Sequence, residues 1–599
     1  MILKSLRSLK NYQNIILVSD NFPSKNITIR KNSIFIFFDK NKYLNFKRKY
    51  PDQNAAMFTY SNFKNGYNHK NILCNNIYRD SQKIFKDFYS SSIKRSFIFN
   101  LYKKIIGSKI IFFGLKKSFL QNAYNIKSIF HLKKILEKKQ SMNIQVLLSN
   151  NENDFYESLN KKQKGKKSIT KVDFEFLKLI IKFIFLPIKY LVNIRSISFK
   201  KKSKKLAIKT YVGGLLFNDN EYNIKLFEKS HRQDEIIYLI DTLHHKNFND
   251  KKPGSKCFLY SKYYGSSITS IKSIFIYIII FFLNLFFFLF LLNRNKFEAN
   301  EYLKIQSSLL LWYNFINLYN FKHFISYNEY ETDIIYRNCF FRKRKIITSK
   351  IKQTNSENIF NLTFLKNFIK ISDLYNFFDY EFHWTIQSIV MSYKNKSLSD
   401  KKFLSGPIWM SKEFVIDKKD NKIKTFAMFN SSFDNINSVN PNLSHLKFLE
   451  LAQEILNNGK SYQIFFKPKK SYNDYLESDL TSEIAKKLLN NPRFFVENVQ
   501  TQNHKIYKKT DLSICMPFTS TSIESLYLGN RFVFFDPVAK YTNSIYSKYK
   551  NIYFNDLNKI LEFIKEFDEQ SYVSDLSGVL RMTGISKKDP LSQISKYLN

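Results

Sequence analysis

Short apolar runs of strand length, bounded by turn residues, alternate along this chain with stretches whose apolar positions recur at helical spacing. In the first 150 residues, Asn14–Ser19, Ser33–Phe38, Lys109–Phe113 and Ile144–Leu148 predict buried strands, and Ile126–Lys138 predicts an amphipathic helix. The polar, Lys-rich stretch 150–170 predicts an exposed linker. Leu206–Tyr211, Glu235–Asp241, Phe324–Glu329 and Ile346-Ile347 continue the strand pattern. Ser405-Gly406-Pro407 then breaks regular structure and predicts a domain boundary. Beyond it strands are expected at Ile423–Phe429, Tyr462–Phe466, Phe494–Val499, Leu512–Cys515, Phe532–Phe535 and Ile552–Phe554. Helices are expected between them at Leu443–Leu456 and Ser482–Leu489, and after them at Leu557–Phe567. Such alternation predicts an α/β fold built on doubly wound parallel sheets. The expected division is 1–150, an N-terminal α/β region; 151–404, the rest of the N-terminal half; and 405–599, a C-terminal doubly wound domain.

Two stretches depart from this rhythm. Phe174–Ile194 is mostly apolar, yet Lys178, Lys182 and Lys189 recur at helical spacing and Pro187 interrupts the second half. Such a helix suits a bilayer interface, where lysine stems reach the head groups, and equally suits a core helix with a solvated edge. Ile274–Leu292 has 19 residues of which Asn284 alone is strongly polar. As a helix it spans about 28 Å, close to a bilayer's hydrocarbon core. Apolar membrane-associating helices inserted in the N-terminal half are therefore expected. A single crossing conflicts with the strand-like runs on both sides. A hairpin with the following helix, a helix half-sunk in one leaflet, or a covered core helix avoids that conflict.

Composition changes this picture less than its numbers suggest. A chain of 599 residues with 44% apolar content is long enough for more than one domain and for large cores. The net charge of +47 comes mostly from lysine, since only 14 of 96 cationic side chains are Arg. Lys, Asn, Ile, Phe and Tyr are over-used together, a bias of the whole composition rather than of one binding face. Arg is the residue of base and bidentate phosphate recognition. No nucleic-acid partner is expected, whereas an anionic membrane surface is. Cys74, Cys257, Cys339 and Cys515 form no CxxC pair and are expected as free thiols in a reducing compartment. Neither a GxxxxGK[ST], GxGxxG or GxSxG element nor zinc spacing of Cys and His is present, and no metal is expected.

The candidate chemistry lies where strands of the last 200 residues end, since ligands of doubly wound sheets bind outside the carboxyl ends of the strands. Asn430, Ser431 and Ser432 follow one buried run, and Lys467-Pro468-Lys469 follows another. After Leu512–Cys515 comes Met516-Pro517-Phe518-Thr519-Ser520-Thr521-Ser522-Ile523-Glu524. Pro517 stops the strand, and hydroxyls cluster where a helix needs a cap. Gly529 falls where its C-cap wants a residue tolerant of positive φ. A turn feeding a helix N-terminus is a phosphate site. Lys467 is expected to take phosphate charge, Thr519, Ser520 and Thr521 to cradle the same group, and Glu524 to accept two ribose hydroxyls. Together these match the parts of a nucleoside diphosphate.

Met516–Thr521 with Phe535-Asp536-Pro537 resembles the polysaccharide-biosynthesis "PFTS motif" proteins of bacterial surface-carbohydrate clusters, which are glycosyltransferase-like and similar to the GT-B group. The resemblance extends to Gly406-Pro407-Ile408-Trp409, Phe429–Phe433, Phe466-Lys467-Pro468-Lys469, and Ser326-Tyr327-Asn328-Glu329 with Arg337-Asn338. It implies two Rossmann-like domains in GT-B arrangement, a nucleotide-sugar donor held mainly by the second, and no metal or other cofactor. The acceptor, a glycan or lipid-linked glycan, and the catalytic base would lie on the first domain, with Glu329 the candidate base and Asp241 behind it. GT-B enzymes with a Lys-Pro-His-Pro element have His two positions after the Lys, where this chain has Lys469. The cytoplasmic face of the bacterial inner membrane is the expected location. Transfer of glycerol phosphate or another phosphopolyol, or a non-catalytic membrane scaffold, is the alternative.

Overall fold

A computed structural model describes residues 12, 14–18, 33–38, 40–57, 66–94, 96–137, 143–147, 174–192, 196–197, 206–211, 235–241, 257–260, 267–268, 271–292, 296–327, 332–352, 369–407, 423–430, 441–469, 471–499, 501–517, 519–539, 542, 544–585 and 589–597. The expected α/β architecture is observed, and among the described residues every strand pairing in its sheets is parallel. The linker 150–170 lies outside the described residues.

The N-terminal sheet holds β1 (Asn14–Val18), β2 (Ser33–Phe37), β3 (Ala55–Met57) and β4 (Asn143–Leu147) in the order β3-β2-β1-β4. Alternate residues face opposite sides. Ile16, Val18, Phe35 and Phe37 pack with Phe46 of α1 (Lys40–Lys49). Ile15, Leu17, Ile34 and Ile36 join a larger core with α2 (Gly66–Phe88), α3 (Phe97–Ile106) and α4 (Ser108–Glu137). One expectation fails here: Lys109–Phe113 is the start of α4, which also absorbs the helix expected at Ile126–Lys138. Ile111, Leu115, Phe119 and Ala123 are all buried at four-residue spacing. A five-residue apolar run reads the same in a buried strand as in a buried helix. A Cβ on Gly114 would come within 2.5 Å of the Tyr336 ring, so the glycine permits close helix approach there.

Next in the chain are α5 (Phe174–Val192), β5 (Leu206–Tyr211), β6 (Ile236–Asp241), β7 (Cys257–Tyr260), α6 (Ile271–Leu292) and α7 (Lys296–Tyr319). They are followed by β8 (His323–Tyr327), α8 (Asp333–Lys343), β9 (Ile347–Ile351), β10 (Tyr380–His383), α9 (Ile386–Lys394) and β11 (Lys401–Leu404). The seven strands order as β11-β10-β9-β8-β5-β6-β7. Chain direction across the sheet reverses between β5 and β8. Ala207, Ile237, Leu239 and Phe324 pack against Trp312, Phe315 and Phe341 on one face.

Among the described residues no helix is long and apolar enough to cross a membrane, so a membrane crossing at Ile274–Leu292 is not supported. Instead α6 lies along α5 and α7 with a polar inner seam. Pro187 has no N–H for Phe183 O, the carbonyl one turn earlier. Asn284 Nδ2 donates to that carbonyl at 2.9 Å, and Gln306 Nε2 donates to Asn284 Oδ1 at 3.0 Å. Tyr277 OH donates to Leu310 O at 3.0 Å and accepts from Asn314 Nδ2 at 2.6 Å. Arg342 pairs with Asp379 at 2.6 Å and Asp400 at 2.8 Å.

The C-terminal sheet contains β12 (Thr425–Phe429), β13 (Gln463–Lys467), β14 (Phe494–Val496), β15 (Leu512–Cys515), β16 (Arg531–Phe535) and β17 (Tyr553–Phe554). Their order is β14-β13-β12-β15-β16-β17. Its helices include α10 (Pro441–Asn458), α11 (Ser482–Leu489), α12 (Asn503–Lys509), α13 (Thr521–Leu528), α14 (Leu557–Lys565) and α15 (Glu569–Thr583). The last helix, α16 (Pro590–Ser595), returns to the seven-stranded sheet. Ile594 is buried there, and Tyr597 stacks on Phe403 with centroids 4.0 Å apart. Trp384, just past β10, is buried in the C-terminal core. Gln387 Nε2 donates to Met582 O at 2.9 Å.

Candidate functional site

Chain direction in the C-terminal sheet reverses between β12 and β15, and such a reversal opens a crevice at the carboxyl ends of the strands. Phe429 and Cys515 are the paired last residues of these two strands, and Met516 N donates to Phe429 O at 2.9 Å. The Met516–Thr521 turn therefore leaves the sheet at the reversal point. Its hydroxyls fold back on the strand end: Thr519 Oγ1 donates to Met516 O at 3.0 Å, and Thr521 Oγ1 donates to Thr519 Oγ1 at 2.8 Å. Ser520 precedes α13 but makes no capping hydrogen bond. The first-turn N–H groups that every helix leaves unpaired are thus not taken up by that side chain. Pro517 is buried at the start of the turn, while Phe518 lies outside the described residues. At the far end Gly529 has φ +80° and closes α13 in the left-handed conformation, as the sequence led us to expect.

Glu524 sits one turn into α13 and is 4% exposed. Its Oε2 accepts from Asn503 Nδ2 at 2.6 Å and from Tyr507 OH at 3.4 Å. Among the described residues nothing donates to Oε1, which leaves one carboxylate oxygen for a ligand. Burial raises its pKa, while the Asn503 hydrogen bond and the nearby Lys467 and Lys469 charges oppose the rise. Lys467, at the end of β13, does not stand clear as a phosphate cation. Its ammonium donates to Thr501 O at 2.5 Å and to Asn503 Oδ1 at 2.6 Å. Burial pulls its pKa down to about 8, with Glu524 acting the other way. Asn503 therefore joins Lys467 to Glu524 by both ends of its amide. Lys469 is exposed just beyond, held through its backbone N–H by Asn430 Oδ1 at 2.7 Å.

Asn430 directly follows β12, and both ends of its amide are used. Its Oδ1 holds the Lys469 backbone, and its Nδ2 donates to Tyr475 OH, which also bonds His445 Nδ1 at 2.8 Å. Asn430 is 4% exposed and fixes the Lys467–Lys469 loop rather than presenting a free amide. Ser431 and Ser432 lie outside the described residues, as does Glu329. Asp241 is the last residue of β6, paired in register with Tyr211, two strands from β8 in the sheet.

Asn503 and Tyr507 escaped the sequence reading. They come from α12, a seven-residue helix with no long apolar period, which brings them to Glu524 only through packing against α13. On the seven-stranded sheet His383 and Glu381 form a buried pair at the end of β10. His383 Nδ1 meets Ser388 Oγ at 2.8 Å and Nε2 meets Glu381 Oε2 at 3.4 Å. Burial lowers the imidazole's pKa while Glu381 opposes the shift, and with both ring nitrogens engaged the pair reads as a structural knot. Among the described residues no group of three or more His, Cys, Asp or Glu is placed to hold a metal ion.

Several solved structures are similar to this one. A variant of the wall teichoic acid polymerase TagF is 13% identical and matches 71% of this chain and 98% of its own, with a TM-score of 0.39. UDP-GlcNAc 2-epimerase from Neisseria meningitidis, bound to UDP-GlcNAc, is 10% identical over 66% of this chain and 99% of its own, with a TM-score of 0.36. MurG from Acinetobacter baumannii is 9% identical over 67% of this chain and 99% of its own, with a TM-score of 0.36. No curated protein matches the chain. The resemblance read from the Met516–Thr521 turn is borne out in sequence: residues 283–562 match the family described as polysaccharide biosynthesis PFTS motif protein.

Proposed function

We propose that this protein is a GT-B-type glycosyltransferase of bacterial surface-polysaccharide synthesis, capsule or O-antigen, taking a sugar from a nucleotide donor. The observation that carries the reading is the Lys467–Asn503–Glu524 chain beside the turn at the reversal point of the C-terminal sheet. Glu524 Oε1 accepts the ribose hydroxyls. The α13 N-terminus with Thr519, Ser520 and Thr521 receives the diphosphate, and Lys469 supplies the neighbouring charge. Lys467 holds Asn503, and through it Glu524, instead of standing as the main phosphate contact. In the reaction an acceptor hydroxyl attacks the anomeric carbon, the bond from that carbon to the diphosphate oxygen breaks, and a base takes the hydroxyl proton. Helix dipole and lysine charge stabilise the leaving diphosphate without a metal. The acceptor is a glycan or lipid-linked glycan met at the cytoplasmic membrane face, with Glu329 and then Asp241 the candidates for the base.

The test is calorimetric titration of nucleotide sugars, with a nucleotide-activated polyol in the same panel. Binding of a nucleotide sugar that falls at least ten-fold in Glu524→Ala supports the assignment. Unchanged affinity in that variant sinks the ribose role, and preference for the polyol donor replaces sugar transfer by phosphopolyol transfer.

A further inference from the structure

The outer face of α6 is apolar along its described length. Ile271, Phe275, Ile279, Phe282, Leu283 and Phe286 recur at helical spacing and are each between 40 and 62% exposed. They form one continuous stripe on the order of 700 Å², taking about 200 Å² for each large side chain. That exceeds the few hundred Å² that a soluble monomer leaves as a single apolar patch. The opposite face of the same helix carries its hydrogen-bonding groups: Ser273 is buried, and Tyr277 and Asn284 are buried with hydrogen bonds to α7 and α5. The polarity is inverted relative to a helix on a water-facing surface, which turns polar groups out and apolar groups in.

The neighbouring helix carries the charge that completes this face. On the outer face of α5, Ile181 and Phe185 are exposed, and Lys178, Lys182 and Lys189 are exposed among them. Lysines interleaved with large apolar side chains match a layer that is hydrocarbon at depth and anionic at its surface. A second protein copy would bring its own lysines against these, like charge on like charge.

We infer that α5 and α6 form an in-plane membrane-binding face. The α6 stripe enters one leaflet of an anionic bilayer without crossing it, and the α5 lysines sit among the head groups. The inference does not depend on the transferase reading, because vesicle binding is measured with no donor or acceptor present.

The full chain is sedimented with vesicles of phosphatidylethanolamine and phosphatidylglycerol, and with neutral phosphatidylcholine vesicles. The wild-type protein is expected to pellet with the anionic vesicles and at least ten-fold less with the neutral ones. The triple variant Phe275→Ser, Phe282→Ser, Phe286→Ser changes exposed positions only, and it should lose at least ten-fold in vesicle affinity with an unchanged far-ultraviolet dichroism spectrum. Phe282→Trp should be quenched by lipids brominated in the acyl chain. If the triple variant unfolds, that quenching decides: its absence overturns the proposal. Wild-type protein that stays in solution with anionic vesicles also overturns it. So does a vesicle-independent dimer that the triple variant dissociates, because a second copy then covers the stripe.

Discussion

Asn503 holds Glu524 at 2.6 Å from one end of its amide and receives Lys467 at 2.6 Å at the other. A buried carboxylate with a raised pKa and a half-buried lysine with a lowered one are thus linked through a neutral side chain rather than paired directly. The arrangement fixes one carboxylate oxygen and leaves the second for a ligand. Replacing Asn503 by Ala should leave Glu524 under-satisfied and free to turn. The expected loss is about 1–1.5 kcal/mol, or roughly ten-fold in donor affinity. Isothermal titration against the donor found in the panel measures it, and an unchanged constant would show that Asn503 does not position the site.

The same linkage sets a pH response. Lys467 has its folded pKa below the ordinary lysine value, at about 8, so as pH rises through 8 it loses the charge that holds Asn503 and Thr501 O. Donor affinity should decline through that alkaline limb, and Lys467→Arg, always charged, should remove it. The stability consequence has the opposite sign. Between about pH 8 and the unfolded value the unfolded chain binds more protons, so the cost of burying this charge is full below pH 8 and fades as pH rises. Glu524, with its pKa raised by burial, is protonated sooner on acidification than an ordinary glutamate. An acid limb in affinity above the usual carboxylate range should follow. Affinity measured from acid to alkaline pH for wild type and Lys467→Arg reads both limbs.

Asn284 answers a vacancy that Pro187 makes. Asn284→Leu should strand the Phe183 carbonyl and the Gln306 amide, at a cost of about 1–3 kcal/mol in denaturant unfolding. Pro187→Ala restores an N–H for the same carbonyl, so in that background Asn284→Leu should cost at least 1 kcal/mol less. Equal costs in the two backgrounds would mean that Asn284 matters only through Gln306.

Tyr597 stacks on Phe403 and touches Tyr380 and Phe382, tying the chain end to the seven-stranded sheet. Tyr597→Ala should lower stability by about 1–2 kcal/mol. The loss should appear in the unfolding of the seven-stranded sheet, followed by hydrogen exchange at its strands. Protection there that matches the wild type would show that α16 does not anchor the domain.

Much of the fold was legible because its evidence is local. Leu512–Cys515 and Ser482–Leu489 appear with the bounds read from the sequence, since each is a short periodic run closed by a turn residue. Gly529 was legible for the same reason, its φ being set by its own position. Lys109–Phe113 was misread because five apolar residues do not reveal their period. The site was legible in part: Glu524, Thr519 and Thr521 stand where the turn places them, while Lys467 was assigned to phosphate and is found holding Asn503.

The sequence alone determined the alternation of strands and helices, the hydroxyl-rich turn after Cys515 and the family resemblance that this turn carries, because each is written in neighbouring residues. Tertiary structure decided the rest, through contacts between residues far apart in the chain. It brought Asn503 between Lys467 and Glu524, consumed the Asn430 amide, and set Asn284 against the carbonyl that Pro187 leaves open. A polar side chain in an apolar helix carries no local sign of which partner will claim it. The turn after Cys515 marks the candidate site, and packing chose the side chains that stand beside it.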